Sequence, residues 1–418
     1  MDPIKALKGF KDLLPGESER CEALASLMRE TFHAFGFSPI QTPILERTQL
    51  FTRSIGETTD IVEKEMYTFE DWDGKPVTLR PEGTASVVRA YLEAGLAKAK
   101  LPAKLYYHGP MFRHERPQAG RLRQFHQIGA EIIGEGDPRQ DVELLSLLTH
   151  FFKRLEIGGL TLEINSLGCA VCRPPYREAL QAYFKARLPE LCEDCRRRFE
   201  TNPLRILDCK KEGCKATIDL APVASDHLCG ECETHFKAVQ EGLTLLKIPY
   251  LLSPLLVRGL DYYTKTAFEL TTRNLGAQNA VAAGGRYDGL VEALGGPITP
   301  AIGFAIGIER VMQLYETSKR TGPNLKLFIA PLGEAAGQLL FPVLFELRKK
   351  NIRSEMGASR SALKRQMKEA DSLGAEFVLI LGDREREEGK AILRNMRDKT
   401  QFEIALPNVV DEIVDRIG

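Results

Sequence analysis

The residues best suited to chemistry lie in the stretch Tyr106–Gly134. The second half of this stretch alternates with period two, which places Phe125, Gln127 and Glu131 on one face of a strand. Arg113 ends the strand-like run before it. An aromatic ring, an amide, a carboxylate and a guanidinium are the parts needed to bind a nucleotide base, a phosphate and a cationic amino acid. A purely structural hairpin would distribute its charges more randomly, so we expect a functional face.

Two other places carry residues suited to a charged ligand. Glu82 lies between a strand-like run and a helix predicted from about Ala85, where a carboxylate is well placed to hold an ammonium group. The neighbouring Thr84 is explained equally well as an ordinary helix N-cap. Arg310 follows a strand bracketed by glycines and stands at a helix start, where an arginine can meet phosphate.

These residues need a framework of strands and helices. The central stretch predicts two antiparallel strands joined by a charged loop. His126, Ile128, Ala130 and Ile132 alternate with the functional residues and predict a packed face. Before this hairpin, apolar residues at three- and four-residue steps predict an amphipathic helix over 18–35, followed by a strand over 37–45 that contains Pro43.

Composition restricts the class of protein. The 418 residues exceed one typical domain, and 43% hydrophobic with 27% charged residues is ordinary for a globular protein. Lys plus Arg number 57 and so do Asp plus Glu, so any contact with nucleic acid must rest on local patches. No segment approaches the roughly 20 apolar residues of a spanning helix or forms a signal peptide. We therefore expect no membrane association and a cytoplasmic location.

The segment 168–249 is helical in periodicity and differs from the rest of the chain in its cysteines. Paired thiols with short spacers can grip one tetrahedral ion, so four pairs would supply one or two structural zinc sites. The alternative is that free thiols pack as small hydrophobic groups. The four pairs are Cys169 with Cys172, Cys192 with Cys195, Cys209 with Cys214, and Cys229 with Cys232.

The end of the chain forms a separate region. Tyr315–Asn324 is polar and contains Gly and Pro, which indicates a linker. Beyond it, strand-like and helix-like runs alternate and predict a small α/β domain with a parallel sheet. Basic residues between Arg348 and Lys368 are consistent with a solvated face or with a surface for RNA.

A family resemblance becomes specific at this point. The run FRHERPQAGRLRQFHQ resembles motif 2 of the class II aminoacyl-tRNA synthetases and is similar to that of the histidyl-tRNA synthetases in particular. The helix and strand around Pro43 resemble motif 1, and IGFAIGIERV resembles motif 3. The segments LVRGLDYYTKTAFE and AAGGRYDGL are similar to two that are characteristic of the histidyl family. The resemblance covers nearly the whole chain.

The resemblance implies an architecture. Its catalytic domain is of the α+β class, with an antiparallel sheet flanked by helices, and is divided between residues 1–167 and 250–318. A helical Cys-rich insertion occupies 168–249, and a C-terminal α/β anticodon-binding domain occupies 325–418. The implied assembly is a homodimer formed through motif 1. The eight-cysteine insertion departs from the commonest family pattern, and the family does not require metal there.

The resemblance also implies a reaction. The histidine carboxylate attacks the α-phosphate of ATP to give histidyl-adenylate and pyrophosphate, and the terminal adenosine of tRNA(His) then takes the histidine. By motif position, Arg113 and Arg258 are catalytic and grip the α-phosphate and the carboxylate, with Mg²⁺ bridging the ATP phosphates. The resemblance assigns ATP binding to Arg113, Arg121, Phe125 and Arg310, and L-histidine binding to Glu82, Thr84, Gln127, Glu131, Tyr262 and Tyr263. If the strand continues through Tyr262 and Tyr263, their side chains point to opposite faces.

Two alternatives to a complete ligase remain at this stage. One is a non-catalytic paralogue, like the histidyl-synthetase-like regulatory subunit of ATP phosphoribosyltransferase. Such paralogues tend to lose the phosphate-gripping arginines and the anticodon domain, whereas both are present in this sequence. The other is a zinc-ribbon nucleic-acid module, which explains the cysteine segment alone.

Overall fold

A computed structural model of the chain describes residues 3–56, 59–98, 102–118, 120–275, 279–315 and 325–417. The chain divides into two compact units, residues 1–316 and 317–418. Most of the predicted linker, residues 316–324, lies outside the described residues. In the described part of the chain, no helix combines the length and the apolar character needed to span a membrane.

The first unit contains the large sheet and most of the helices. Its strands are β1 Ser38–Pro39, β2 Leu45–Arg47, β3 Tyr67–Glu70, β4 Pro76–Leu79, β5 Ala103–Phe112, β6 Gln124–Ile133, β7 Leu160–Ser166, β8 Leu251–Leu252, β9 Thr264–Thr272, β10 Ala280–Arg286 and β11 Ala301–Gly307. Its helices are α1 Glu17–Ala34, α2 Thr48–Ile55, α3 Thr84–Glu93, α4 Pro138–Arg154, α5 Arg173–Lys185, α6 Glu193–Thr201, α7 Glu212–Ile218, α8 Gly230–Leu245, α9 Leu290–Ala293 and α10 Ile308–Leu314.

The main sheet has the strand order β1-β5-β6-β11-β10-β9-β7-β8. All pairings from β5 to β7 are antiparallel, and the two outermost pairings are parallel. Helices α1 and α4 cover one face, where Phe32 and Phe151 meet edge to face at 5.6 Å between ring centroids. The predicted antiparallel sheet flanked by helices is therefore confirmed.

The predicted hairpin is the pair β5 and β6, with Phe112 opposite Gln124 beside the connecting loop. Ile128, Ala130 and Ile132 are fully buried against the helices, as their alternation predicted. Because successive side chains point to opposite faces, this packing turns Phe125 and Gln127 toward the other side of the sheet. The hydrophobic pattern of β6 thus fixes the orientation of its polar residues.

The prediction of one continuous strand over 37–45 is wrong. It is divided into β1, which pairs with β5, and β2, which pairs with β4 in a separate sheet of order β2-β4-β3. Pro39 and Pro43 lack the N–H groups that a continuous ladder needs. In the segment between the two strands, the carbonyl oxygen of Thr42 accepts a hydrogen bond from Arg80 at 2.8 Å.

The Cys-rich segment is helical and contains α5, α6, α7 and α8. It has its own apolar cluster, in which Tyr176, Leu180, Phe184 and Ile206 are buried. The segment leaves the sheet after β7 and returns at β8, which lies parallel to β7. The predicted helical Cys-rich region is therefore confirmed.

The second unit has a sheet of order β13-β12-β14-β15-β16. The first three strands are parallel as predicted, but β15 and β16 are antiparallel, so the prediction of a parallel sheet is wrong for that half. The connection over 382–389 is too short for a parallel crossover. The elements are β12 Leu327–Pro331, α11 Glu334–Lys349, β13 Ser354–Met356, α12 Leu363–Ser372, β14 Phe377–Leu381, α13 Asp383–Glu387, β15 Lys390–Asn395, β16 Gln401–Ala405 and α14 Val409–Ile417.

Candidate active site

A cavity of about 420 Å³ lies on the face of the main sheet opposite α1 and α4. Its lining brings together most of the residues that the sequence singled out. They are Glu82, Thr84, Arg113, Arg121, Phe125, Gln127, Arg258, Tyr262, Tyr263 and Arg310. A ligand in this cavity would therefore meet guanidinium, carboxylate, amide and phenol groups together.

One side of the cavity, here called the sheet wall, carries Phe125 and Gln127 on β6 and Arg310 on α10. Arg310 donates from Nη1 to the carbonyl oxygen of Ala280 at 2.6 Å, which holds its side chain across the end of β10. Burial and the nearby charge of Arg121 lower the pKa of Arg310. A negatively charged ligand would relieve this repulsion between arginines.

The beginning of α10 is fixed by a contact that the sequence did not reveal. Glu309 accepts hydrogen bonds from the backbone N–H of His126 at 2.8 Å and faces its Nδ1 at 3.0 Å. The carboxylate therefore ties α10 to β6. Because Arg310 is the next residue in α10, this contact also fixes the position of Arg310.

Arg113 and Arg121 share an acidic neighbour. Arg121 Nε lies 3.0 Å from a Glu115 carboxylate oxygen, and Arg113 Nη1 lies 3.8 Å from the other oxygen. Arg113 also donates to the carbonyl oxygen of Pro81 at 2.8 Å, and its guanidinium lies 5.4 Å from the centroid of the Phe125 ring. Sequence reasoning missed Glu115, although it stands within the motif 2 loop.

A second part of the cavity lining, here called the loop wall, carries Arg258, Tyr262, Asp208 and Lys210. Arg258 forms an ion pair with Glu269 of β9 and lies 5.6 Å from the Tyr263 ring. Its Nε is buried and has no hydrogen-bond partner among the described residues. A buried donor without a partner destabilises the folded protein unless a ligand accepts a hydrogen bond from it.

Tyr262 and Tyr263 precede β9 and do not continue the strand. The condition for side chains on opposite faces is therefore not met: their ring centroids lie 4.6 Å apart, and both residues line the cavity. The irregular backbone before Thr264 is the reason, because alternation holds only within a strand.

Glu82 is buried beneath the first turn of α3. Its carboxylate accepts from the backbone N–H groups of Thr84 at 2.7 Å and Ala85 at 2.9 Å. Burial raises the pKa of Glu82, whereas these hydrogen bonds act in the opposite direction. Thr84 is the first residue of α3 and not its N-cap, so the simple capping explanation does not describe it.

Among the residues predicted to bind histidine or ATP, all of which the structure describes, Glu131 is the one that lies behind the cavity lining. It is fully buried and accepts hydrogen bonds from Thr84 Oγ1 at 2.8 Å and from the Tyr287 hydroxyl at 2.6 Å. Burial raises the pKa of Glu131 to about 8, although both hydrogen bonds oppose the shift. Its position becomes possible because Gly303, its partner in β11, has no side chain to occupy the same space.

Tyr287 is a further residue that sequence reasoning did not single out. It is 1% exposed, and its ring packs against Tyr262 at 5.7 Å between centroids. It lies in the AAGGRYDGL segment, so the family-specific pattern was the available signal. Through Tyr287 and Thr84, the Glu131 carboxylate is joined to residues on both sides of the site.

The eight paired cysteines form two groups of four. The root quartet, which joins the chain just after β7 to the beginning of α8, is Cys169, Cys172, Cys229 and Cys232. The cavity quartet is Cys192, Cys195, Cys209 and Cys214. In each quartet the sulfur atoms all lie within 4.8 Å of one another.

The spacing of the sulfur atoms fits a tetrahedral ion. Four sulfurs bound at about 2.3 Å to zinc lie about 3.8 Å apart. The Sγ distances are 3.7 Å for Cys169 with Cys172 and 3.9 Å for Cys192 with Cys209. These distances are too long for disulfides. Closed thiolate quartets are typical of structural zinc sites and leave no open position for catalysis.

Comparison with known proteins follows the same division of the chain. A family model described as "Histidyl-tRNA synthetase" matches residues 9–311, and one described as "Anticodon binding domain" matches residues 326–416. A histidine–tRNA ligase of Syntrophotalea carbinolica is 49% identical over 413 residues, 99% of either chain. One of Geobacter metallireducens is 52% identical over 406 residues, 96% of this chain and 97% of the relative.

A solved structure is similar over the same length. The apo histidyl-tRNA synthetase of S. aureus superposes with a TM-score of 0.83 at 37% identity and covers 98% of this chain and 100% of its own. Matches of this extent include the catalytic segments, the Cys-rich region and the C-terminal unit. A zinc-ribbon module, which would account for the cysteines alone, does not explain them.

Proposed function

The chain belongs to the histidyl-tRNA synthetase family, and from this premise we propose how its cavity performs the reaction. The enzyme activates histidine with ATP to give histidyl-adenylate and pyrophosphate, and then transfers histidine to the terminal adenosine of tRNA(His). Arg113 and Arg258 hold the α-phosphate of ATP and the histidine carboxylate. Arg121 and Arg310 hold the β- and γ-phosphates. Phe125 stacks on adenine.

The observation that carries this proposal is the convergence of four arginines on one cavity of about 420 Å³. Phosphoryl chemistry needs positioned positive charge where negative charge develops, and guanidinium groups supply it in a fixed geometry. Mg²⁺ accompanies ATP in the family's reaction and would neutralise the phosphates. Glu115 and Glu269, which line the cavity, offer the hard carboxylate oxygens that this ion prefers.

Histidine is held at the end of the cavity beside α3. Glu82, Thr84 and Gln127 take its ammonium group, because a carboxylate that accepts two backbone N–H groups retains lone pairs for a third donor. Tyr262 and Tyr263 recognise the imidazole, and Glu131 contributes from behind the lining through its hydrogen bonds with Thr84 and Tyr287. A site lined by buried polar groups rejects an apolar side chain of equal size, since those groups would lose their partners.

The two cysteine quartets each hold a structural Zn²⁺. The support is the closed set of four thiols with zinc-like spacing in each quartet. The metals would stabilise a segment of the chain whose own apolar cluster is small. Metal analysis of reduced protein tests this directly, with an expected content of about two zinc ions per chain.

The proposed domains are a catalytic domain over 1–167 and 250–318, the insertion over 168–249 and the anticodon-binding domain over 325–418, which binds tRNA(His). The proposed assembly is a cytoplasmic homodimer. Its support is a set of exposed apolar side chains around the motif 1 region, namely Ile44, Leu45, Phe69 and Trp72. A second copy that covers these residues would remove apolar surface from water.

The decisive test is histidine-dependent exchange between ATP and pyrophosphate. We expect Arg258→Ala to reduce the exchange rate by about three orders of magnitude, because it removes a charged donor in the transition state. We expect Arg258→Lys to recover only part of the rate, since a lysine keeps the charge without the planar fork.

The matched control is Arg89→Ala. Arg89 is also an ion-paired arginine, bonded to Glu46 and Glu93, but it lies outside the cavity lining. Its substitution should leave exchange near the wild-type rate. Undiminished exchange in Arg258→Ala would remove this residue from the mechanism.

A further inference from the structure

The insertion contributes residues to the active site, which the family assignment alone does not explain. Asp208 and Lys210 line the same cavity as Arg258. The residue between them is Cys209, one of the cavity quartet. A cysteine of this quartet therefore stands between two side chains of the substrate site.

Residues 209–211 lie between a short 3₁₀ turn over Pro203–Asp208 and helix α7, and belong to neither. The backbone N–H of Cys209 donates to Ile206 at 3.0 Å, and its sulfur lies 3.9 Å from that of Cys192. Fixing the Cys209 thiolate at a metal would fix the directions of the side chains on either side of it.

The two lysines after Cys209 have different surroundings. Lys210 lies 3.0 Å from a carboxylate oxygen of Asp208 at the cavity, whereas Lys211 lies 3.1 Å from Asp194 and is not part of the lining. The Lys210 side chain is 69% exposed, and an ammonium group has three donors, so it can bind an anion in the cavity while it is paired with Asp208. Lys211 instead forms its ion pair with another residue of the insertion.

The same turn is tied to the loop that carries Arg258. Arg205 donates to the carbonyl oxygen of Gly259 at 2.7 Å, and Asn202 donates to Asp261 at 3.1 Å. A displacement of the 202–211 segment would therefore reach Arg258 as well as Lys210. Cys209 of the cavity quartet lies within this connected segment.

We propose that Lys210 is a substrate-binding residue for an anionic group, either a phosphate of ATP or the carboxylate of histidine, and that metal in the cavity quartet holds it there. This inference rests on the proposed function of the cavity and extends it to the Cys-rich insertion. Metal bound by Cys192, Cys195, Cys209 and Cys214 would then control substrate affinity through the positions of Asp208 and Lys210.

The first experiment compares Lys210→Met with Lys211→Met in the full chain. KM values for ATP and for histidine are measured separately by pyrophosphate exchange. We expect Lys210→Met to raise one of them about tenfold, as loss of a charge-assisted hydrogen bond would, and Lys211→Met to leave both unchanged. The substrate whose KM changes identifies the anion. Equal KM values in the two variants would overturn the role of Lys210.

The second experiment tests the link to metal. Zinc content is measured in Cys214→Ser and in wild type, together with equilibrium binding of ATP and of histidine. We expect the variant to lose one zinc and to bind more weakly the same substrate whose binding Lys210→Met weakens. We expect the double variant to bind that substrate no more weakly than either single variant does. Loss of zinc with unchanged binding would overturn the link.

A folding defect in Cys214→Ser would not end the test. Wild type and Lys210→Met would then be titrated with a chelator, and affinity should fall with metal loss in wild type but not further in Lys210→Met. An equal further loss in both proteins would contradict the proposal. Failure of the active-site assignment itself would appear differently, as normal exchange in Arg258→Ala.

Discussion

The two walls of the active site are built by different means. The sheet wall lies on β6, which is hydrogen-bonded to β5 on one side and to β11 on the other. The loop wall lies outside helices and strands at Arg258 and Tyr262, and side chains of the insertion support its backbone. Arg205 bonds Gly259 and Arg173 bonds the carbonyl of Tyr263.

Because of this difference, we expect substitutions on the two walls to have different effects on activity. A residue on a central strand cannot move without breaking a ladder of hydrogen bonds, so the sheet wall should hold its geometry under most substitutions. Each contact of the loop wall is an individual hydrogen bond or ion pair, which contributes modestly by itself. We expect substitutions on the sheet wall to remove the function of single side chains, and substitutions behind the loop wall to change affinity gradually.

Within the sheet wall, the largest expected effect belongs to Arg310→Ala. Removal of a charged phosphate ligand should lower kcat/KM for ATP by about two to three orders of magnitude, with little change in KM for histidine. Pyrophosphate exchange over a range of ATP concentrations measures it. Gln313→Ala, an exposed position of the same helix, is the control. A loss of less than tenfold would mean that the other three arginines of the cavity bind the phosphates without Arg310.

The second prediction concerns the pH dependence that Glu131 gives to the sheet wall. Its pKa of about 8 lies above the ordinary value, so between pH 6 and 8 the folded chain holds a proton that the unfolded chain has released. The free energy of unfolding should therefore decrease as pH rises, by about 2 kcal/mol over this interval from this group. Glu131→Gln stays neutral and should flatten the profile, as measured by urea unfolding of the full chain.

Glu163→Gln is the matched control for this experiment. Glu163 is a partly buried carboxyl on β7 of the same sheet, and it accepts a hydrogen bond from Thr271 at 2.9 Å. Its substitution should leave the slope of stability against pH as it is in wild type. A profile that stays equally steep in Glu131→Gln would assign the pH dependence to another group.

The contrast between the walls also explains what the sequence could predict. Periodicity placed Phe125, Gln127 and Glu131 on one face of β6, because alternation in a strand is dictated by its geometry. It could not place Glu131 behind Thr84, since that depends on the absence of a side chain at Gly303 of the neighbouring strand. The depth of a residue is decided by the elements that pack on it.

For the loop wall, periodicity offered no guide. Arg258 was found through family resemblance, and its partner Glu269 was missed because an ion pair between a loop and a strand leaves no periodic signal. The cysteines were recognised as pairs from their spacing, but their combination into two quartets required the fold. Asp208 and Lys210 were missed for the same reason. Residues brought together by an insertion cannot be matched from sequence distance alone.

The smallest expected effect tests whether single ion pairs support the loop wall. Arg198 of the insertion lies 3.0 Å from Asp60 and also donates to the carbonyl of Arg205, so it joins the supporting turn to the first part of the unit. The two side chains are 22% and 41% exposed, and a pair in this environment contributes about 1 kcal/mol or less. We expect Arg198→Ala to raise KM for ATP or histidine about two- to fivefold.

A double-mutant cycle with Asp60→Asn isolates the contribution of this pair. The coupling should lie below about 1 kcal/mol and should shrink at high salt, because exposed charges are screened. Arg197→Ala is the control, since Arg197 is 51% exposed and lies 4.0 Å from the same carboxylate. If Arg198→Ala raises KM but shows no coupling to Asp60, the backbone bond to Arg205 supports the wall. If neither change has an effect, the cysteine quartet and the bonds to Gly259 hold the wall without the ion pair.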